Sequence, residues 1–460
     1  MNRFAHLLRA VSPSLLVILI PLAMDAGMTT RIFAIPKLTL MHLMVGVGLL
    51  AWLSAETFVA PQLPRRVYVA VSAWLGWLVI TTIFAQSPAR SALGSYDWQL
   101  GLLTQLGLMG VAWLMLISIG DVRAARAVQG VLILASIPII LYGTLQIFQL
   151  DPFKWQTWYV SDLSARRVFS TLGNQNYLGI YLAMIMAMTL SVLLDSKTLA
   201  RRIGLVLLLL SQAWCLWLTD SRSAMIALAA SWGFLIVWRW RFVLWQARTL
   251  LLSAIIISIV ATFVTSSALG EPIADVISPR STIDIRPLIW RSASGAVAVR
   301  PWLGWGLSSF DLALTDHATP ALVKRLSDPD IGGRVIDRAH NLGWELLVEV
   351  GVPGLALWLV MMGLIVEVML RAATNDVENR NLILSGVSAL VGYVVYQIFN
   401  PSDLGSLIIF WCVLGWTLAL SLPRDEKPHP YTRYATQMFL IVAAFGAGYG
   451  LWTWIGTLRK

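Results

Sequence analysis

The sequence predicts an all-α polytopic membrane protein of roughly 12–13 transmembrane helices, with one large outer loop of amphipathic helices. Three observations predict it. First, 58% of the 460 residues are hydrophobic and 13% are charged, with a mean hydropathy of +0.73. Soluble domains carry about 25% charged residues, so this charge density cannot cover a soluble body of this size. Second, apolar runs of spanning length recur along the chain. Third, the basic residues of the short connecting segments are unevenly distributed. A soluble enzyme, a disordered protein and a nucleic-acid module are thereby excluded. The net charge of +10 reads as Lys and Arg held in cytoplasmic loops rather than as a nucleic-acid footprint.

A spanning helix needs roughly 20 mostly apolar residues. Runs of that kind lie near 11–29, 36–54, 67–85, 100–119, 126–147, 176–194, 203–219, 223–239, 248–266, 350–370, 382–400, 405–422 and 437–456. The first lacks a small-x-small cleavage site followed by a polar mature domain, so it reads as a retained helix. Only Asp220, Ser221 and Arg222 separate the seventh and eighth runs. With the N-terminus inside, the inner short segments hold about seventeen Lys and Arg and the outer ones about nine. That bias places the N-terminus in the cytoplasm. The chain then divides into helices over 1–266 (about nine), a large outer loop over 267–349 and further helices over 350–460.

The long loop is not low-complexity. It mixes Trp290, Trp302, Trp305 and Phe310 with Arg and Asp, as amphipathic helices packed over a bundle would, and a loop this long is usually functional. A second outer loop, 148–175, holds Trp155, Trp158, Arg166 and Arg167. No internal repeat of the transporter kind is visible. Cys215 and Cys412 sit in apolar runs and read as buried free thiols. The five histidines form no H-x-x-x-H pair and no zinc set is present, so no metal or cofactor is expected.

Four groups of unusual residues fall on the expected outer face. In Asp220-Ser221-Arg222-Ser223 the arginine either snorkels or pairs with Asp220, or it is a fixed cation for an anionic ligand. Arg286 and Trp290 share a helical face, and Arg291 falls on another. That segment is either an amphipathic helix on lipid headgroups or a phosphate-binding one. The turn at Pro301, Gly304 and Gly306 after it permits close backbone approach. In the third group, Arg338 and His340 precede Glu345 and Glu349, which are spaced i, i+4. Carboxylates at the membrane surface are candidate functional groups, and a neutral histidine can take a proton from a sugar hydroxyl near pH 7. In the fourth, Asn174 and Asn176 either cap the helix that follows or line a site. Arginines around a single base suit transfer from a lipid diphosphate, whose developing charge the cations stabilise.

These motifs resemble the O-antigen ligase/O-antigen polymerase superfamily. The resemblance is carried by His340-Asn341, Glu345, Glu349, Gly351 and Gly354 in an H-N-x-x-x-E-x-x-x-E-x-G-x-x-G pattern. Gly173 to Asn176, Ser221 to Ser223 and the run from Arg286 to Gly306 add to it, in the expected order. The resemblance implies a GT-C-like, metal-independent, inverting glycosyltransferase of the bacterial inner (cytoplasmic) membrane, working at its periplasmic face. It implies an undecaprenyl-diphosphate-linked glycan donor and a lipid A-core sugar or another glycan as acceptor, among membrane lipids and with no nucleic acid. By matching position, His340 is the catalytic base and Arg222 and Arg286 hold the diphosphate. Arg338, Arg291, Asn174, Asn176, Glu345 and Glu349 are further candidates for substrate binding. One departure is the span count: thirteen runs put the C-terminus outside, whereas the ligases are usually drawn with twelve spans and both ends inside.

An O-antigen ligase is therefore the first expectation. A polymerase comes next, with the same chemistry on another lipid-linked repeat unit, then a protein O-glycosyltransferase. A flippase or permease is the rival of a different class. It would need ionisable residues through the span centres, where this sequence has few.

Overall fold

The computed structural model describes residues 2–25, 32–54, 60–95, 97–153, 168–239, 285–327, 336–425 and 430–458. Helices dominate these residues, as the apolar runs require. In order they are α1 (Asn2–Leu22), α2 (Ala34–Leu53), α3 (Arg65–Ile83), α4 (Pro88–Leu93), α5 (Leu102–Ser118), α6 (Val122–Leu134) and α7 (Ser136–Ile147). After them come α8 (Gln175–Asp195), α9 (Leu199–Leu218), α10 (Arg222–Arg239), α11 (Ile285–Val299), α12 (Phe310–His317) and α13 (Pro320–Leu326). The chain closes with α14 (Leu342–Asn375), α15 (Arg380–Tyr396), α16 (Leu404–Ser421) and α17 (Pro430–Leu458). Among the described residues β-structure is limited to Ala60–Pro61 paired antiparallel with Arg424–Asp425.

The chain is an all-α polytopic membrane protein. Among the described residues eight helices are long and apolar enough to cross a membrane. They are α2, α3, the near-continuous α6–α7 rod, α8, α9, α14, α16 and α17, and α1, α5 and α15 are shorter apolar helices. Every expected run except 248–266 falls on a helix. That run lies outside the described residues, as do Trp155, Trp158, Arg166 and Arg167. The two helices α8 and α16 form the centre, with most of their side chains buried. The helix α9 lies at the rim and exposes Ile203, Leu207, Leu210, Trp214 and Trp217. An apolar face turned outward is stable only against lipid, and there it is the expected surface.

Two packing details position the site. The expected boundary near residue 349 falls inside α14, which starts at Leu342 and kinks at Gly351, where φ is 72°. Pro353 has no N–H to offer the Glu349 carbonyl, so that oxygen accepts from the Gly306 N–H at 2.9 Å instead. Val352 turns its N–H to the Pro301 carbonyl at 2.8 Å, and the freed Val348 carbonyl accepts from Trp305 N–H at 2.9 Å. The Trp77 indole N–H serves the Val350 carbonyl at 2.9 Å. The 301–306 turn thus satisfies the broken helix backbone, which would be costly to leave unpaired. A Cβ on Gly351 would meet the Trp302 carbonyl oxygen at 2.2 Å. The conspicuous glycines of both motifs therefore serve this seam.

The second detail is a satellite core. Ile285, Ile289 and Ala293 of α11 bury against Trp305, Phe310, Leu314, Leu322 and Ala339. The helices α11 to α13 form a small body of their own, packed on the start of α14 through Val348, as amphipathic helices over a bundle should. The Trp290 indole N–H donates to the Ala339 carbonyl at 2.9 Å. That bond brings the face of α11 carrying Arg286 to the chain just before His340.

Candidate functional site

His340 stands at the mouth of α14 in a left-handed backbone conformation, with φ of 52°. For a residue with a Cβ this conformation is uncommon and persists only where the surroundings hold it. The holding groups are on either side. After His340, the Asn341 side chain caps α14 by accepting from Trp344 N–H at 3.0 Å. Its amide donates to the Ile398 carbonyl at 3.1 Å, and Leu342 N–H donates to the Gln397 carbonyl at 3.0 Å. Before His340, the Ala339 N–H donates to the Glu345 carboxylate.

Glu345 also forms an ion pair with Arg338, and both side chains are buried. The other face of the Arg338 guanidinium lies over the Trp98 ring, 4.9 Å from its centre. Burial alone would lower the Arg338 pKa, but Glu345 and Glu349 outweigh it and raise the value. Glu349 is buried too and its carboxylate accepts the Ser308 N–H. The spacing i, i+4 does put both acids on one face, and that face is turned inward to brace the 338–341 turn and the 301–308 segment.

His340 itself is half-buried. Burial, and then the charges of Arg286 and Arg338, lower its pKa to about 4. The imidazole is therefore neutral at pH 7 and can accept a proton. Arg286 is partly buried, and burial lowers its pKa, with Tyr396 acting in the opposite sense. Its Nε is buried and has no hydrogen-bond partner among the described residues, and the same is true of the fully buried Tyr396 hydroxyl. A buried donor without an acceptor is expensive, and an anionic oxygen would satisfy it.

The Arg222 turn is built differently. Asp220 is left-handed, with φ of 53°, and Arg222 opens α10 as an exposed side chain. Among the described residues no ion pair engages it. The turn is tied down through Ser221, whose hydroxyl donates to the Asn176 side-chain oxygen Oδ1 at 2.7 Å. Asn174 spends its own side-chain oxygen on Asn176 N–H at 2.8 Å, capping α8. The Gly-Asn-x-Asn and Ser-Arg-Ser motifs are thus one unit. Gly173, at φ 81°, lies so close to the Phe33 ring that a Cβ would approach it to 2.3 Å. Beneath it the buried Lys37 donates to the Thr171 carbonyl at 2.7 Å and the Ala23 carbonyl at 2.6 Å.

The structure therefore brings together His340, Arg286, Arg338, Glu345 and Glu349, and links Asn174 and Asn176 to Arg222. Arg291 is exposed, on another face of α11 than Arg286. Sequence reasoning missed Trp98, Tyr177, Tyr396, Lys37 and Asp403. Tyr177 directly follows Asn176, and its ring meets Trp98 edge-on at 6.4 Å. Asp403 caps α16 through Ser406 N–H at 3.0 Å and is held above its ordinary pKa by burial. Tyr177 borders a motif and was within reach. Trp98 is one of 22 tryptophans, and nothing in its spacing singles it out.

In chemical terms, the arrangement offers a neutral base, one cation with an unfilled donor beside it and a second, exposed cation on a linked turn. No curated protein matches the chain. The family model described as O-antigen ligase matches residues 203–359, a stretch that contains Arg222, Arg286, Arg291, Arg338, His340, Glu345 and Glu349. Over those residues the chain is similar to the O-antigen ligase family.

Proposed function

We propose that the protein is an O-antigen-ligase-type glycosyltransferase, with His340 as base and Arg286 and Arg222 as the cations of the donor diphosphate. The observation that carries this reading is the neutral His340, fixed in a strained turn next to Arg286. The acceptor hydroxyl oxygen attacks the anomeric carbon of the lipid-diphosphate-linked glycan. Its proton passes to the free ring nitrogen of His340. The carbon–oxygen bond to phosphate breaks, and the electron pair leaves on the lipid diphosphate. One displacement inverts the anomeric configuration. Arg286 and Arg222 neutralise the negative charge that grows on the leaving group. Arg338, with its guanidinium committed to Glu345 and Trp98, supports the turn, and Glu345 and Glu349 do the same. Asn174 and Asn176 hold the Arg222 turn.

Donor binding also strengthens the base. Two negative phosphates beside Arg286 cancel part of the field that keeps His340 deprotonated, so its pKa rises when it is needed. The excess of basic residues in the N-terminal-side segments favours a site at the periplasmic face of the inner membrane, under the 267–349 loop. The acceptor in this reading is a lipid A-core sugar. A polymerase would use the same groups on another lipid-linked repeat unit.

Purified protein given an undecaprenyl-diphosphate-linked glycan and, in separate reactions, a lipid A-core acceptor or a second lipid-linked unit tests both readings. Product on the lipid A-core sugar supports ligation. Product only on the lipid-linked unit makes the protein a polymerase, and no product with either acceptor contradicts the proposal.

A further inference from the structure

The Trp98 loop lies outside the family-matched segment, yet it touches both halves of the site. Its indole N–H donates to Asp337 Oδ2 at 2.7 Å. Its ring face carries the Arg338 guanidinium at 4.9 Å. Its ring also meets Tyr177 edge-on, at 6.4 Å and 72°. Asp337 and Arg338 lead directly into the left-handed His340. Tyr177 directly follows Asn176, which holds Ser221 and through it Arg222. One side chain therefore spans from the base turn to the arginine turn.

The two ends of the loop that presents Trp98 meet. Gly94, at φ 99°, and Gly101 bring its two ends into contact: a Cβ on Gly101 would meet Gly94 N at 2.3 Å. Gln99 is buried and left-handed, with φ of 55°. Its side-chain amide donates to the Ser95 carbonyl at 3.1 Å, and its side-chain oxygen accepts from the Tyr449 hydroxyl at 3.0 Å. Its backbone carbonyl accepts the Thr104 hydroxyl. A loop with its ends together and Gln99 held by three partners is the kind of element that holds a neighbour in place.

Resting on the glycosyl-transfer reading above, we infer that Trp98 is a positioning residue that sets His340 against the Arg222–Asn176 turn. It touches no reacting atom in this scheme. It keeps the base and the diphosphate cations in register, and a displacement of about 1 Å in such a register is enough to lower a rate about 10²-fold.

Three single variants and one double variant separate this role from simple packing. Trp98→Leu removes the ring and the N–H. Its kcat is expected to fall about 10²-fold, with the donor KM within about twofold of wild type. Trp98→Phe keeps a smaller ring face for Arg338 but loses the N–H and the five-membered ring, and is expected to recover part of that loss. Asp337→Leu removes the acceptor of the same hydrogen bond, so Trp98→Phe/Asp337→Leu should be no slower than the slower single variant. Additive losses in that pair, or a Trp98→Leu whose defect lies in KM alone, would overturn the inference. A second readout needs no transfer reaction. Carbethoxylation of His340 by diethyl pyrocarbonate, followed by peptide mass, should run at least about threefold faster in Trp98→Leu, because the turn is loosened. An unchanged His340 reactivity overturns the role of Trp98 whatever the reaction is. Altered reactivity in a protein whose wild type transfers no glycan leaves the clamp standing and removes the proposed function.

Discussion

The 338–341 turn and the 220–222 turn both carry an arginine and both contain a left-handed residue, but they are finished in opposite ways. Around His340 the groups are satisfied from within the protein: Arg338 by Glu345 and Trp98, Ala339 by Glu345 and Trp290, Asn341 by its own helix and the Ile398 carbonyl. Around Arg222 the backbone is anchored through Ser221, and the guanidinium is left exposed. The difference separates two uses of arginine that sequence alone gives as one letter. A guanidinium already filled by a buried carboxylate is part of the scaffold. One held by its backbone and left open is available to a ligand. Arg286 stands between the two, partly buried with an unfilled Nε.

The largest expected break in this comparison is at Arg286. Arg286→Ala should lower transfer about 10²–10³-fold in kcat, the range seen when one donor to a developing anion is removed. Arg286→Lys should restore little of it, because a point charge does not reproduce the two-pronged guanidinium fork. Steady-state kinetics with the lipid-linked donor checks both.

Stability separates the two turns next. Glu345→Ala leaves Arg338 buried without its partner, and should destabilise the folded protein by about 3–5 kcal/mol. Arg222→Ala removes an exposed side chain and should change stability by less than about 0.5 kcal/mol while still impairing transfer. Thermal unfolding in detergent, read alongside activity, measures the contrast. Equal destabilisation by both would show that the Arg222 turn is scaffold as well.

The smallest effect expected is a shift in pH dependence. Burial and then Arg286 and Arg338 lower the His340 pKa to about 4, so in the free protein the base is lost only as pH falls through that value. Removing one cation takes away part of the lowering. The acid limb of kcat/KM should therefore move upward in Arg286→Gln, toward the ordinary histidine value of about 6.5. In wild type the acid limb of kcat should lie above that of kcat/KM, because the bound diphosphate offsets Arg286. A limb that stays in place or moves down in Arg286→Gln would show that this arginine does not face His340.

The fold was legible because a membrane helix announces itself by length and composition: every apolar run inside the described residues became a helix. Local chemistry was legible where a residue acts near its own position in the chain. Asn174 is the cap at the start of its helix, and the glycines of 301–306, read as a turn of close backbone approach, meet Gly351 in one backbone seam. The i, i+4 spacing of Glu345 and Glu349 placed them on one face of α14 but did not show what that face meets. Its two acids are neutralised or bonded from outside the segment, by Arg338 and by Ser308 N–H. The contact of Arg338 with Trp98 was beyond the sequence, since Trp98 lies far away in the chain and no periodicity connects them. Trp98, Tyr396 and Lys37 are tertiary residues in the same sense.

The central claim is that His340 is the base of a glycosyl transfer from a lipid diphosphate. The most direct measurement is single-turnover transfer by purified wild type and His340→Ala, with donor binding measured on the same samples. The account predicts that His340→Ala folds, binds the lipid-linked donor within about twofold of wild type, and transfers at least about 10²-fold more slowly. Transfer by His340→Ala at the wild-type rate would contradict it.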